Sequence, residues 1–226
     1  MDKSKKYWQL EEDMLKYSDL ISISVKDCGE EMINLSRCDW IRTRQIDERM
    51  TKYTGKDIFT RKYVVNRLRI ATKLLQKTLP AVSLEVVYGY RALEIQTKLF
   101  DAYWNKLGTK YTDESELLEA VHRLVAVPEV SGHPTGGAID LQIVDLDGNS
   151  IDFGTKIWEF VNDSYTFSPF VSKRAWQNRQ LLRGVMISSG FAPFDGEWWH
   201  FSYGDREWAC YYGKRNAIYD QIEFKV

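Results

Sequence analysis

Two of the three histidines in the chain lie in segments whose residue types could hold a metal ion. His133 belongs to a loop rich in glycine and proline that leads into Asp140, and His200 directly follows a glutamate and two tryptophans. Two imidazoles and one carboxylate, with one coordination position left for water, are a common ligand set of catalytic zinc sites. His122 lies in a helical pattern of apolar residues, and we interpret it as an ordinary helix residue. His133, Asp140 and His200 are therefore the candidate metal ligands, provided that the fold brings them together.

Asp140 lies in a segment whose alternation predicts a strand over residues 138–146. The apolar residues that alternate with Asp140 should face the core, so the carboxylate should face the other way. The Gly-Gly-Ala sequence of residues 136–138 keeps this other face free of bulky side chains, which would allow a ligand to approach closely. Taken alone, the segment also fits a polar turn in which the aspartate is a cap.

Glu197 stands three positions before His200, among aromatic and apolar residues. Burying a carboxylate in such surroundings costs several kcal/mol unless it is paired or linked to a metal. Glu197 could therefore be a base next to a metal ligand, although a plain Glu–His pair at a strand edge has the same pattern. Both side chains can face one site only if the chain bends between them, because these positions face opposite ways on a regular strand. We expect a bulge or bend there.

The elements around these residues predict an α+β fold in one domain, with helices that cover a largely antiparallel central sheet. Apolar residues at helical spacing, bounded by capping residues, Gly or Pro, predict four helices. These helices cover residues 62–78, residues 92–106, residues from about 113 to before Pro128, and residues 172–188. Residues 21–25, 82–90 and 138–146 are typical of strands, and residues 197–203 are interpreted as extended.

The overall composition is that of an ordinary globular protein and argues against several classes of function. The 31 Lys and Arg nearly balance the 32 Asp and Glu, so the basic surplus typical of nucleic-acid-binding proteins is missing. No apolar run approaches the length of a membrane span, and no apolar segment follows the N-terminal lysines as in a secretory signal. Cys28, Cys38 and Cys210 form no zinc or disulfide pattern. We therefore expect a cytoplasmic protein with free thiols and without nucleic-acid or membrane partners.

Several motifs together resemble the D-alanyl-D-alanine dipeptidases of the vancomycin-resistance type, which are zinc enzymes. The segment from Ser131 to Leu141 is similar to their S-x-H-x(3)-G-x-A-x-D motif, and Glu197-Trp198-Trp199-His200 to their E-x-W-H segment. Gly89-Tyr90-Arg91 is similar to their G-Y-R segment. The resemblance covers residues 45–203. It implies the α+β domain shared with the hedgehog signalling domain, which we place at residues 45–226, with residues 1–44 as an N-terminal arm or extension.

The resemblance further implies one Zn²⁺ per chain, held by His133, Asp140 and His200. It implies that Glu197 is the catalytic base and that Arg91 binds the scissile carbonyl; without the resemblance, Arg91 could be an ordinary surface or salt-bridge arginine. The implied activity is hydrolysis of a short peptide, first of all the D-alanyl-D-alanine dipeptide. The candidate substrate-binding residues are Ser131, Tyr90 and Glu159.

The chain departs from the family pattern only at positions that concern substrate anchoring. Tyr88 and Ala92 flank the G-Y-R segment where the family usually has Asp and Pro, and Gly132 replaces a serine. The family's acidic residue for the substrate amino group falls in residues 153–159, where its register is ambiguous. Hydrolysis is therefore a firmer expectation than a strict preference for D-Ala-D-Ala.

Two other functions remain open at the level of the sequence. One is a D,D- or L,D-carboxypeptidase acting on peptidoglycan stem peptides, although the missing signal segment disfavours it. The other is a non-catalytic zinc module that binds a partner, which the same scaffold permits. The presence of both Glu197 and Arg91 beside the metal ligands favours an enzyme with a small peptide substrate. The oligomeric state stays open. Residues 205–226 could close the site or pack against the domain, and we favour packing.

Overall fold

The computed structural model describes residues 3–226, which form an α+β domain around a five-stranded sheet. The helices are α1 (Lys3–Glu12), α2 (Tyr17–Ile21), α3 (Thr51–Thr54), α4 (Lys62–Thr78), α5 (Leu93–Leu107), α6 (Glu114–His122), α7 (Lys173–Ser188) and α8 (Arg206–Tyr211). The strands are β1 (Ser24–Val25), β2 (Met32–Asn34), β3 (Arg42–Thr43), β4 (Phe59–Arg61), β5 (Val82–Tyr88), β6 (Ala138–Asp145), β7 (Ala192–Pro193), β8 (His200–Ser202) and β9 (Asn216–Ala217).

The central sheet has the strand order β3-β5-β6-β8-β7. Only the edge pair β3–β5 is parallel, and the other three pairs are antiparallel, as the sequence predicts. Two further pairs lie outside this sheet: β1 with β9 in parallel, and β2 with β4 in antiparallel orientation.

Strand β6 divides its side chains between the main core and the functional face. Ile139, Leu141 and Ile143 are fully buried in the core, against the apolar faces of α4 and α7. This confirms the alternation that the sequence predicts. Asp140 and Gln142 point to the opposite side, where they too are buried. The polar face of β6 is therefore covered rather than open to solvent.

Helices α5 and α6 pack on each other and, together with this polar face of the sheet, line a cavity that contains charged and aromatic residues. Gln96 of α5 is fully buried and donates to the carbonyl of Ala126, 2.7 Å away. The bond ties α5 to the loop that follows α6, so that both helices form one wall of a cavity.

The N-terminal part of the described chain is integrated into the domain. Leu35 and Ile41 belong to the main core, and β3 forms an edge of the central sheet. The sequence predicts a strand over residues 21–25, but α2 continues to Ile21 and only Ser24 and Val25 pair as a strand. The division of the chain at residues 44 and 45 stays a prediction.

The structure also bears on the cysteines and on the possibility of membrane-spanning helices. The three cysteines are free thiols, as expected. Within residues 3–226, no helix combines the length and the apolar character that crossing a bilayer requires.

Candidate active site

The three predicted metal ligands converge in the structure. One potential ligand atom from each of His133, Asp140 and His200 lies within 4.8 Å of the other two. Oδ1 of Asp140 is 3.1 Å from Nδ1 of His200 and 3.5 Å from Nε2 of His133. All three side chains are buried. The donor set of two imidazoles and one carboxylate is the set that zinc accepts, so the residues fit the metal.

Strand pairing and a short turn place these ligands. Asp140 and His200 are direct partners in the antiparallel register of β6 and β8, so their side chains share one face. His133 opens a 3₁₀ turn that ends at Gly136, whose φ of 74° is in the left-handed region. L side chains rarely adopt this backbone conformation, so the turn favours glycine at this position.

Each of the three candidate ligands also makes a hydrogen-bonding contact with a residue outside the ligand set. Nδ1 of His133 lies 2.8 Å from the carbonyl oxygen of Gly89, which leaves Nε2 for a metal. The indole N–H of Trp158 donates to Oδ2 of Asp140 at 2.8 Å. Nε2 of His200 is 3.2 Å from a carboxylate oxygen of Glu207. Such outer contacts fix the orientation of ligands and the tautomer of histidines in metal sites.

The electrostatics of Asp140 and His200 favour positive charge on the imidazole of His200, between two carboxylates. Burial raises the pKa of Asp140, but the adjacent imidazoles of His133 and His200 outweigh it and bring the pKa well below its ordinary value. Burial lowers the pKa of His200, but Glu207 and Asp140 outweigh it and raise the pKa well above its ordinary value. In the absence of a metal, Asp140 and Glu207 thus favour the protonated form of His200, whose ring lies between their carboxylates.

Glu197 lies at the edge of the same site, as the sequence predicts. The backbone N–H of His200 donates to the carbonyl of Glu197 at 3.0 Å, so residues 197–200 form a tight turn before β8 begins. This turn is the expected bend, and it brings Glu197 and His200 to one cavity. Burial, with the negative charge of Asp140 adding to it, raises the pKa of Glu197 to about 8.

Arg91 is a cation in the lining of the same cavity, and its charge acts on Glu197. Its guanidinium lies over the ring of Tyr88, 4.6 Å from the centroid, and Nη1 donates to Gln96 at 2.7 Å. Nε of Arg91 is buried and makes no hydrogen bond with any residue of the described chain. A buried donor without a partner costs free energy, which a ligand oxygen would recover.

The cavity that joins these groups has a volume of about 120 Å³. Its walls come from α5, α6, the loop before β6, the 158–160 segment and the turn before β8. The lining residues are Arg49, Arg91, Gln96, Leu99, Tyr103, His122, Leu124, Val125, Ala126, Ser131, Gly132, His133, Asp140, Trp158, Phe160, Phe194, Glu197, His200 and Glu207.

Of the three predicted substrate-binding residues, one lines the cavity and two lie outside its lining. Ser131 lines the cavity. The hydroxyl of Tyr90 donates to the carbonyl of Ile222, and its ring packs on Phe224. Glu159 is exposed and accepts from the backbone N–H of Lys156 at 2.9 Å. Tyr90 and Glu159 do not belong to the cavity lining, and their role in substrate binding stays a prediction.

Sequence reasoning missed Trp158, Glu207 and Arg49, which all line the cavity. The sequence favours packing over closure of the site for residues 205–226, yet α8 places Glu207 against the candidate ligand His200. For Glu207, the only signal in the sequence was an acidic residue a short distance after the E-x-W-H segment. The contact between Glu207 and His200 depends on how the chain folds back, which residue spacing does not encode.

Comparison with known proteins places the chain in a family. Residues 40–221 match the family model described as D-Ala-D-Ala dipeptidase. The chain belongs to the D-Ala-D-Ala dipeptidase family. As a member of this family it is a zinc metallopeptidase, which agrees with the converging ligands His133, Asp140 and His200.

The chain is also similar to individual proteins. The chain is 28% identical to a D-alanyl-D-alanine dipeptidase of Synechocystis, over 90% of this chain and 94% of the relative. It is 30% identical to a D-alanyl-D-alanine dipeptidase of Enterococcus faecium, over 66% of this chain and 82% of the relative. Among solved structures it is similar to VanYB in complex with D-alanine-D-alanine, with 16% identity, a TM-score of 0.47 and coverage of 92% and 94% of the two chains.

Proposed function

We propose that the protein hydrolyses the peptide bond between two D-alanine residues, using one zinc ion held by His133, Asp140 and His200. The observation that carries the proposal is the convergence of the three ligand atoms within 4.8 Å of one another, in a cavity that Glu197 and Arg91 also line. A zinc ion bound there would lower the pKa of a water towards about 7 and polarise the scissile carbonyl. The names of the relatives support D-alanyl-D-alanine as the substrate.

Glu197 is the proposed general base. Among the cavity carboxylates, Asp140 is bonded by Trp158 and Glu207 by His200, which leaves Glu197 for the attacking water. In its ionised form Glu197 takes a proton from the attacking water and then passes it to the leaving amine. Burial of Glu197 in low-polarity surroundings favours its protonated form, which assists return of that proton to the leaving amine.

Arg91 is the proposed stabiliser of the oxyanion that develops on the attacked carbonyl. Its stacking over Tyr88 and its hydrogen bond to Gln96 fix the guanidinium in the cavity. A donor that is already oriented and buried needs no reorganisation when charge develops, and removal of one such donor costs about 10²–10³ in rate.

The decisive experiment measures zinc content and hydrolysis of D-Ala-D-Ala for the wild type and for Glu197→Gln. We expect one zinc per chain in both proteins, and a fall of kcat by about 10²–10⁴ in the variant, the usual contribution of a general base. Glu223→Gln, an exposed glutamate outside the cavity, is the matched control and should retain full activity. Substantial turnover by Glu197→Gln would remove Glu197 from this role, and metal-independent hydrolysis would refute the zinc mechanism.

A further inference from the structure

Residues 220–226, called the strap below, contact the turn that begins with His133. The strap belongs to no helix or strand. The backbone N–H of Ile222 donates to the carbonyl of Pro134, the residue after His133, at 3.0 Å. This bond holds the backbone of the turn directly beside a candidate metal ligand. It comes from a residue that lies beyond the segment 40–221 matched by the family model.

Gln221 extends the contact to the residues before His133. Its side-chain amide donates to the carbonyl of Pro128 at 2.5 Å and to the carbonyl of Ser131 at 3.4 Å. Pro128 begins a short 3₁₀ turn, and Ser131 caps its end. The strap therefore contacts the chain on both sides of His133, two residues before it and one residue after it.

Tyr90 connects the strap to a segment that also holds His133. Its hydroxyl donates to the carbonyl of Ile222 and accepts from the backbone N–H of Phe224, both at 3.0 Å. Gly89 directly precedes Tyr90, and its carbonyl oxygen lies 2.8 Å from Nδ1 of His133. A shift of Tyr90 would therefore displace the carbonyl that orients the imidazole.

A buried arginine ties the beginning of the strap to the same turn. Nε of Arg61 donates to the carbonyl of Thr135 at 2.7 Å, and Nη2 donates to the carbonyl of Asp220 at 3.1 Å. Arg61 is 2% exposed, so both bonds are shielded from water and are electrostatically stronger than exposed ones. The strap and the turn of His133 thus share one anchor.

Aromatic packing holds the other end of the strap. The centroid of the Phe224 ring lies 5.0 Å from that of Phe59 and 5.6 Å from that of Tyr90. The backbone N–H of Val226 donates to the carbonyl of Tyr53 at 3.0 Å. The strap is therefore held at both ends, which limits the freedom of the segment between them.

We propose that the strap positions His133 for zinc, with Tyr90 and Gln221 as positioning residues that act through the turn of His133 and do not touch the metal. Without these contacts the turn populates other arrangements, and the apparent zinc affinity falls with the fraction of molecules that keep the competent one. This inference rests on the zinc site of the proposed function and is independent of the substrate. For Tyr90 it is a role other than the predicted binding of substrate.

Tyr90→Phe tests the proposal, because it removes both hydrogen bonds of the hydroxyl and keeps the ring against Phe224. We expect the zinc Kd, measured by competition with a chromophoric chelator without substrate, to rise about threefold to tenfold, the equivalent of one net hydrogen bond. Tyr63→Phe is the matched control, since Tyr63 is 52% exposed on α4. The melting temperature of each metal-free protein is measured beside the Kd. A purely structural role would lower the melting temperature and leave the Kd of the folded protein unchanged.

Gln221→Ala should raise the zinc Kd by a similar factor, with Glu223→Ala, an exposed position of the same strap, as its control. If Tyr90→Phe and Gln221→Ala both bind zinc as tightly as the wild type, the proposal is overturned. Zinc-dependent hydrolysis by the wild type together with unchanged Kd values in both variants would refute the role of the strap alone. A wild type that binds no zinc would refute the proposed function as well.

Hydrogen–deuterium exchange of the wild-type protein gives a second readout. Coupling between two sites is reciprocal, so a strap that favours zinc binding must itself be stabilised by zinc. We expect saturating zinc to slow exchange of the Ile222 and Phe224 amides by at least the factor seen in the Kd. The Leu79 amide, at the end of α4, should exchange at an unchanged rate. Equal exchange of the strap amides with and without zinc would contradict the coupling.

Discussion

The carboxylate of Glu207 lies 3.2 Å from Nε2 of His200, on the side of the imidazole away from Asp140. Nδ1 of His200 faces Asp140 at 3.1 Å, so the two carboxylates hold the ring from both sides. Glu207 lies on α8, and its side chain is buried. When Nδ1 binds a metal, the N–H at Nε2 can donate to Glu207, which orients the ring and makes it a better ligand.

Removing this contact should weaken metal binding. We expect Glu207→Ala to raise the Kd for zinc about 10–100-fold, the usual effect of losing an outer partner of a metal-bound histidine. Competition with a chromophoric chelator measures the Kd. Glu223→Ala, at an exposed position, is the control. A Kd equal to that of the wild type in a folded Glu207→Ala protein would show that Glu207 does not orient the ligand.

Trp158 should support Asp140 in the same way. Trp158→Phe removes the indole donor to Oδ2 of Asp140 but keeps an aromatic ring against Tyr88, whose centroid is 4.9 Å away. We expect the Kd for zinc to rise about tenfold, with little change in the melting temperature of the metal-free protein. Trp176→Phe is the control, since Trp176 is largely exposed on α7. An unchanged zinc Kd would count against the role of the indole.

Substitution of Arg91 should lower the rate of hydrolysis much more than it lowers zinc binding. Arg91→Met keeps much of the apolar stem and removes the guanidinium, so we expect kcat to fall about 10²–10³-fold while zinc content stays the same. Hydrolysis rates and metal analysis of the same sample provide both values. Arg174→Met, at an exposed position of α7, should behave as the wild type. A fall in zinc content with unchanged kcat per zinc would contradict the oxyanion role.

The ion pair between the buried Asp47 and the half-exposed Arg49 should make the free energy of unfolding depend on pH. Burial raises the pKa of Asp47, but hydrogen bonds from Arg49 and Tyr88 outweigh it and hold the pKa below its ordinary value. Because the folded pKa is lowered, this stabilisation is present above the unfolded pKa of about 3.9 and is lost as the pH falls through the folded value.

Asp47→Asn tests this directly. Its free energy of unfolding at pH 7 should be about 1.5–3 kcal/mol below that of the wild type, the range for hydrogen bonds to a charged group. Urea unfolding from pH 7 down to pH 3 should show the two proteins becoming more similar as Asp47 protonates. Asp101→Asn, an exposed position on α5, should show no such convergence. A difference independent of pH would disprove the ionic contribution of Asp47.

Local sequence pattern was sufficient to predict several of the long helices and strands. Strand β6 confirms the predicted alternation, because a half-polar strand of this length can place Ile139 and Asp140 only on opposite faces. Helices α4 and α7 occur where apolar spacing and terminal Pro or Gly residues predict them. The segment around Ile21 was misassigned, because its short alternating pattern fits both a strand and the end of a helix.

The residue types along the chain predict the chemistry of the site, with His133, Asp140 and His200 as candidate ligands and Glu197 beside them. The pairing register of β6 and β8, which sets Asp140 opposite His200, and the return of α8, which places Glu207 next to the ring of His200, become evident in the folded structure. The reason is physical. Residue types and short periodicities follow from neighbours along the chain, whereas contacts between Asp140, His200 and Glu207 depend on strand register and helix packing.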